Sequence, residues 1–165
     1  MVTTSIETER LLIESFSVEH VPEMFQLIQD NETQLTQFGD DTFDKYQRVQ
    51  DLFDSLKQPK NPLRERYVIT TDDNILGSIN VEPTGEKSTS YEVGYWLGKE
   101  YEGNGFMSEA CEAVSNHVLF RAGVRLVSAY TDPENIGSQL VLVRSGFLFS
   151  NMAKDQKRYT KTRKT

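Results

Sequence analysis

Long hydrophobic runs are missing from this 165-residue chain, and no stretch approaches the roughly 18 consecutive apolar residues of a membrane-spanning helix. Its first residues, Met-Val-Thr-Thr-Ser-Ile-Glu, carry neither the basic nor the apolar part of a secretory leader, so a cytoplasmic protein without a membrane partner is expected. Cysteine is nearly absent. The single Cys111 excludes an internal disulfide and any cysteine-rich metal site. Histidine is as scarce: His20 and His117 share no ligand spacing with each other or with carboxylates, so no metal is expected. Cys111 falls in a helical pattern, and His117, six residues on, faces elsewhere on the same helix; a small buried thiol is expected there rather than a nucleophile. Positive charge is in deficit, with 18 Lys and Arg against 25 Asp and Glu. The net charge of −7 argues against nonspecific nucleic-acid binding and is compatible with a cationic substrate. The basic residues crowd the C-terminal end, at Lys154, Lys157, Arg158, Lys161, Arg163 and Lys164. They read as a solvated last strand whose lysines discourage edge pairing, with a phosphate or acidic-partner patch as the alternative.

The length predicts one domain over residues 1–165, with no linker or internal repeat. Arg10 to Phe16 reads as a first strand. Ser17 caps a following helix whose apolar positions include Val21, Met24, Phe25, Leu27 and Ile28. Asp30 to Asp41 is polar. Tyr46, Val49, Phe53 and Leu56 then recur at helical spacing until Lys57 to Pro62 interrupts them. Tyr67 to Thr70 and Ile75 to Val81 form a hairpin across Thr71-Asp72-Asp73-Asn74. Pro83 to Ser88 reads as a second turn, and Thr89 to Leu97 as the next strand. A helix from about Asn104 to Ala122 ends at Gly123. Val124 to Tyr130 is a strand, Asn135 to Ser145 a short helix, and Phe147 to Phe149 and Arg158 to Thr162 closing strands. The order β-α-α-β-β-β-α-β-α-β-β, with its central meander, predicts a mixed α/β domain rather than a purely parallel doubly wound sheet.

Residues 102–109, Glu-Gly-Asn-Gly-Phe-Met-Ser-Glu, join a strand to a helix. Two glycines there let the backbone turn sharply and approach a ligand. The first helical amides lack internal partners and lie at the positive end of the dipole. That geometry suits a phosphate or pyrophosphate.

Gly-x-Gly alone is weak evidence, but three segments occur together. Thr8-Glu9-Arg10-Leu11 opens the chain. Val93-Gly94-Tyr95-Trp96-Leu97 precedes Gly103-Asn104-Gly105-Phe106-Met107-Ser108-Glu109-Ala110. Asp132-Pro133-Glu134-Asn135 and Ser138 follow, with Gly146-Phe147 after them. From about Thr8 to Phe147 the chain resembles the GNAT N-acetyltransferases, and within them the RimJ/RimL-like branch that acetylates ribosomal-protein N-termini. The resemblance implies a central, mostly antiparallel twisted sheet flanked by helices. It also implies acetyl-CoA as co-substrate, bound where the strand ending at Leu97 splays from Val124–Tyr130, with pantetheine amides pairing with freed backbone groups. Trp96 and Leu97 would supply those groups. Glu102, Gly103, Asn104, Gly105, Phe106, Met107 and Ser108 would wrap the pyrophosphate, Asn135 would hold the pantetheine arm, and Ser138 would lie near the thioester.

Three departures stand out. Glu102 occupies a place where Arg or Gln is usual, and Met107 one where the residue is small. Leu142 stands where many GNAT enzymes carry a tyrosine that protonates the departing thiolate, although the RimJ/RimL-like branch often lacks it. Direct attack by an amine in a ternary complex needs no Ser or Cys nucleophile, but it needs a base for an ammonium substrate and stabilisation of the oxyanion. Glu92 is the first candidate base, a solvated strand-edge glutamate being its alternative, and Glu82 the second. Ser138 is a candidate to donate a proton or place a water, or else a helix-surface serine; Asn135 is also a good helix cap in its own right. A backbone N–H near Leu97 would hold the oxyanion. The acceptor is an amine: a protein N-terminus, a polyamine, or another small amine such as an amino sugar or amino acid. The competing reading is a noncatalytic CoA-binding or partner-binding module, motivated by Glu102, Met107 and Leu142. A Rossmann-type enzyme would place its glycine turn near the first strand, which does not happen here. The chain is expected to act as a monomer or homodimer.

Overall fold

The computed structural model describes residues 4–85 and 87–164. Eight strands form one sheet in the order β1-β2-β3-β4-β5-β6-β8-β7 among these residues. They are β1 (Ser5–Glu7), β2 (Leu12–Ser15), β3 (Glu65–Thr71), β4 (Asn74–Thr84), β5 (Ser90–Leu97), β6 (Leu126–Thr131), β7 (Leu148–Ala153) and β8 (Gln156–Thr162). Every neighbouring pair is antiparallel except β5 and β6, which run parallel. Six α-helices accompany them among the described residues: α1 (Val21–Asp30), α2 (Glu32–Thr36), α3 (Thr42–Lys45), α4 (Val49–Lys57), α5 (Phe106–Leu119) and α6 (Ile136–Arg144). No helix among the described residues is long and apolar enough to cross a membrane.

Because strand side chains alternate, the sheet buries both faces and builds two cores. On one face α5 packs with Met107, Ala110, Cys111, Val114 and Val118, spaced at three and four residues, against Val93, Leu97 and Val127. On the other, α1 buries Val21, Met24, Leu27 and Ile28 against Val68 and Ile75, with Leu52 of α4 beside them. A short 3₁₀ turn, Val18–His20, leads into α1, and the Ser17 N–H donates to His20 Nδ1 at 3.0 Å across it. Gly123, at φ +81°, turns the chain out of α5.

The structure corrects four sequence expectations. β1 precedes the first anticipated strand. α2 and α3 lie within or beside the polar stretch after Asp30; only Leu35 is buried in the first and nothing in the second, so neither leaves a periodic signature. β4 runs through Pro83 instead of turning there. Gly98 N–H donates to the Leu76 carbonyl, which fixes the even residues of β4 as those bonded to β5, so Pro83 presents its missing N–H to the other side. There β3 has already ended, its last pair being Glu65 with Val81, and no ladder bond is lost. Finally, α5 begins at Phe106 rather than Asn104, because Gly103 and Gly105 both take the left-handed conformation.

Candidate active site

The parallel ladder between β5 and β6 is short. It holds for Ser90–Leu126, Tyr91–Val127 and Glu92–Ser128, and then the strands part. β6 continues along β8, and β5 along β4 to Leu97. The register set by Gly98 and Leu76 turns the backbone of Trp96 toward β4 and that of Val93, Tyr95 and Leu97 toward the gap. The Trp96 backbone groups are therefore engaged by β4, and Trp96 gives the gap its side chain, whereas the Leu97 N–H faces it directly. At this end of β5 the neighbouring strand comes very close: a Cβ on Gly77 would sit 2.8 Å from the Leu97 Cα, so only glycine fits. The gap opens into a cleft of about 680 Å³ walled by β5, the glycine turn, α6 and the α2–α3 segment.

Gly103 and Gly105 stand at φ +79° and +78°, and Gly105 caps α5 without any side-chain acceptor for the first amides. Those donors stay available at the positive end of the helix. The turn is pinned from behind. Glu109, in the first turn of α5, accepts from Thr8 Oγ1 at 2.6 Å, from the Arg10 N–H at 2.8 Å and from Arg10 Nε at 2.7 Å. Arg10 also donates to the Asn104 carbonyl at 2.8 Å and lies 4.6 Å over the Phe106 ring. The Asn104 side chain folds back onto the Tyr101 and Glu102 carbonyls. Ser108 lines the cleft, while its carbonyl accepts from Ser145 Oγ at 3.2 Å.

Two sequence departures acquire a local explanation. The Glu102 carboxylate accepts from Gln34 Nε2 of α2 at 2.7 Å, and the same amide also donates to the Leu97 carbonyl. A side chain 68 residues away thus ties Glu102 to α2. Met107 is buried among the core residues packed on the sheet while still contributing to the cleft wall, so most of its bulk is taken up by the core.

Asn135 caps α6, accepting from the Ser138 N–H at 3.1 Å, and its side-chain NH₂ is left for another partner. Ser138 Oγ lies 2.9 Å from the Tyr95 hydroxyl, which also donates to the Ser138 carbonyl at 3.3 Å. Tyr95 therefore crosses the gap from strand to helix. Burial pushes its phenol well above the ordinary tyrosine range, with the Ser138 bond opposing the shift. Leu142 is buried in the core and does not line the cleft.

Glu92 points to the opposite face of β5 from Tyr95, at the last pair before the strands part. Burial raises its carboxyl above the usual range, the cross-strand Glu82 adds to this, and Arg64 opposes it. Glu82 is engaged by Arg64 at 3.0 Å and by Asn61 Nδ2 at 2.7 Å. Neither glutamate lines the cleft, so the structure does not bring Glu92 together with Ser138. The carboxylates that do line it are Asp40, Glu102 and Glu134. Cys111 is fully buried, its thiol pushed up to about 12 by that burial. His117 is exposed on α5, outside the cleft. Among the described residues no group of three or more His, Cys, Asp or Glu could hold a metal.

Sequence reasoning missed Gln34 and Tyr95. Gln34 sits in a polar stretch with no readable period. Tyr95 was legible, since alternation places it on the same face as Val93 and Leu97.

A family model described as acetyltransferase (GNAT) domain matches residues 10–148. The chain is 27% identical over 161 residues to the ribosomal-protein-serine acetyltransferase of Escherichia coli (strain K12), covering 93% of this chain and 88% of that protein. Among solved structures it superimposes on RimL, a ribosomal L7/L12 α-N-protein acetyltransferase in complex with coenzyme A, with a TM-score of 0.85 and 20% identity over 96% of this chain and 98% of that one. Mycobacterium smegmatis RimJ in complex with a CoA disulfide gives 0.81 and 16%, over 97% and 86% respectively. At such identities these two likenesses establish the fold.

Proposed function

The chain belongs to the GNAT acetyltransferase family and is an acetyl-CoA-dependent N-acetyltransferase; from that premise we propose that its acceptor is the N-terminal amine of a ribosomal protein, acetylated by direct attack in a ternary complex. The observation that carries this is the cleft's charge and its shortage of strong bases. Asp40, Glu102 and Glu134 line it against the single Arg144, no histidine among the described residues does, and Glu82 is taken up by Arg64 and Asn61. Carboxylates attract a protonated amine but abstract its proton poorly. An α-amino group, with a pKa of about 7.7–8.0, is neutral in roughly one molecule in ten at pH 7, whereas a lysine-type amine near 10.4 is neutral in a few per ten thousand. A site with little base therefore favours an N-terminus over a polyamine or a lysine. The similarity to the Escherichia coli ribosomal-protein-serine acetyltransferase supports the same acceptor class.

The open amides of the Gly103–Ser108 turn fit a pyrophosphate, and the gap-facing backbone of Tyr95 together with the Leu97 N–H fits the amides of a pantetheine arm, to which the Asn135 side-chain NH₂ would also bond. The Leu97 N–H, facing the gap, is the donor for the developing oxyanion. Glu92, which lies outside the cleft wall, would take the amine proton only through a water relay.

The test is acetylation of a peptide panel followed by mass spectrometry. Peptides with a free N-terminal Ser or Ala should gain one acetyl group. The same peptides blocked at the N-terminus but carrying an internal lysine should not, and neither should spermidine. Faster turnover of spermidine or of blocked peptides would overturn the assignment.

A further inference from the structure

A thiolate leaves poorly unless a hydrogen-bond donor meets the sulfur as the C–S bond breaks. Three residues in the cleft wall carry hydroxyls among those described: Tyr95, Ser108 and Ser138. Two of them touch. Tyr95 reaches from β5 across the gap, and its hydroxyl sits 2.9 Å from Ser138 Oγ in the first turn of α6. Ser138 is held at two further points, by its N–H on Asn135 Oδ1 at 3.1 Å and by its carbonyl, which accepts from Tyr95 at 3.3 Å. No other element joins the two walls of the gap through a pair of hydroxyls among the described residues.

Resting on the acetyl-transfer reading above, we infer that Tyr95 is a positioning residue whose single phenol O–H, shared between Ser138 Oγ at 2.9 Å and the Ser138 carbonyl at 3.3 Å, leaves the serine hydroxyl proton free to point at the departing sulfur. Burial keeps the phenol protonated, so it acts as a fixed donor and not as a proton source. The acceptor nitrogen bonds to the acetyl carbon and gives up a proton to water or to the base. The C–S bond then breaks with its electron pair on sulfur. The sulfur receives the Ser138 Oγ–H hydrogen bond and takes its proton from solvent. Neither hydroxyl is consumed.

The inference is tested with Tyr95→Phe, Ser138→Ala and the double variant in the full chain. Acetyl-CoA affinity is followed through the fluorescence of Trp96, the only tryptophan and a cleft residue, and kcat through CoA release with a Ser-initiated peptide. Tyr95→Phe keeps the ring and its packing, so its melting temperature and its Kd for acetyl-CoA should stay close to wild type, the latter within about twofold. Its kcat should fall about tenfold, the loss expected for one hydrogen bond made in the transition state. Ser138→Ala should lose at least as much. The double variant should be no slower than Ser138→Ala, because Tyr95 acts through the serine. An unchanged kcat in Tyr95→Phe, a loss confined to Kd, or a double variant as slow as the product of the two single losses would each overturn the inference while the acetyltransferase reading stands. A wild-type chain that binds acetyl-CoA and acetylates no amine would overturn both.

Discussion

Arg10 grips Glu109 across 99 residues of sequence, and through that carboxylate the turn between β1 and β2 holds the first turn of α5 in place. The pair is partly exposed, with side-chain accessibilities of 43% and 18%, so its worth to overall stability is small. Its position behind the glycine turn makes it matter for the ligand. Glu109→Ala should cost about 1 kcal/mol of stability in denaturant titration. The same change should weaken acetyl-CoA binding about tenfold by calorimetry, because the open amides lose their fixed arrangement. Burial would raise the Glu109 carboxyl, but hydrogen bonds from Thr8 and Arg10 overcome it and hold the group below the usual range. The folded pKa is depressed, so the contribution is present above the unfolded value near 4.3 and fades as pH falls through the lower folded value. Glu109→Gln should therefore lose less stability than wild type on acidification.

Glu102 offers a second measurement. Its carboxylate is tied to Gln34 yet remains exposed at the mouth of the glycine turn. Repulsion at such an exposed site is weakened by salt but not removed at low ionic strength. Glu102→Gln should bind acetyl-CoA about threefold more tightly in low salt, with the advantage disappearing near 0.5 M salt. Gln34→Ala frees the carboxylate and should weaken binding.

Glu92 sits beside Glu82 in the ladder, and both burial and that neighbour raise its carboxyl. For an acid with a raised folded pKa, the favourable contribution is present below the unfolded value and is lost as pH rises through the folded one. At pH 7 the ionised group thus opposes folding. Glu92→Gln should raise the melting temperature at pH 7 relative to wild type and lose that advantage at pH 4. If Glu92 relays the amine proton, the same variant should be slower by about tenfold or more, a gain in stability coupled to a loss in rate. A faster or unchanged enzyme would remove Glu92 from the mechanism.

Cys111 makes the plainest forecast. A fully buried thiol at about 12 carries almost no thiolate at neutral pH. Iodoacetamide at pH 7.5 should leave both the thiol and the activity intact in the folded chain and should label the thiol rapidly in denaturant.

Much of this architecture can be read along the chain because it follows from local rules. The alternation of Tyr91, Val93, Tyr95 and Leu97, the three-and-four spacing from Met107 to Val118, and the two glycines before α5 each announce their own geometry. The turn itself was legible, and so was the parting of strands that the family resemblance implies. What stayed hidden depends on partners distant in sequence. Glu102 looks unsuited to a phosphate site until Gln34 is seen beside it, and no local pattern links two residues 68 apart. Met107 looks too large until its side chain is found in the core. α2 and α3 bury too few side chains to leave a pattern, and their contribution to the cleft through Gln34, Phe38 and Asp40 and the segment around them was illegible for that reason. Pro83 reads as a turn in the sequence because the side of the strand that lacks a neighbour is set only by where β3 ends.

The parting of β5 and β6 has a consequence outside catalysis. It leaves two open strand edges in the middle of an eight-stranded sheet, each a template for an unrelated extended segment, including one from another copy of the chain. A pantetheine arm laid along β5 would act as a removable strand that closes the vulnerable seam. The folded population would then rise with the cell's supply of acetyl-CoA, since a ligand that binds only the native state stabilises it by mass action.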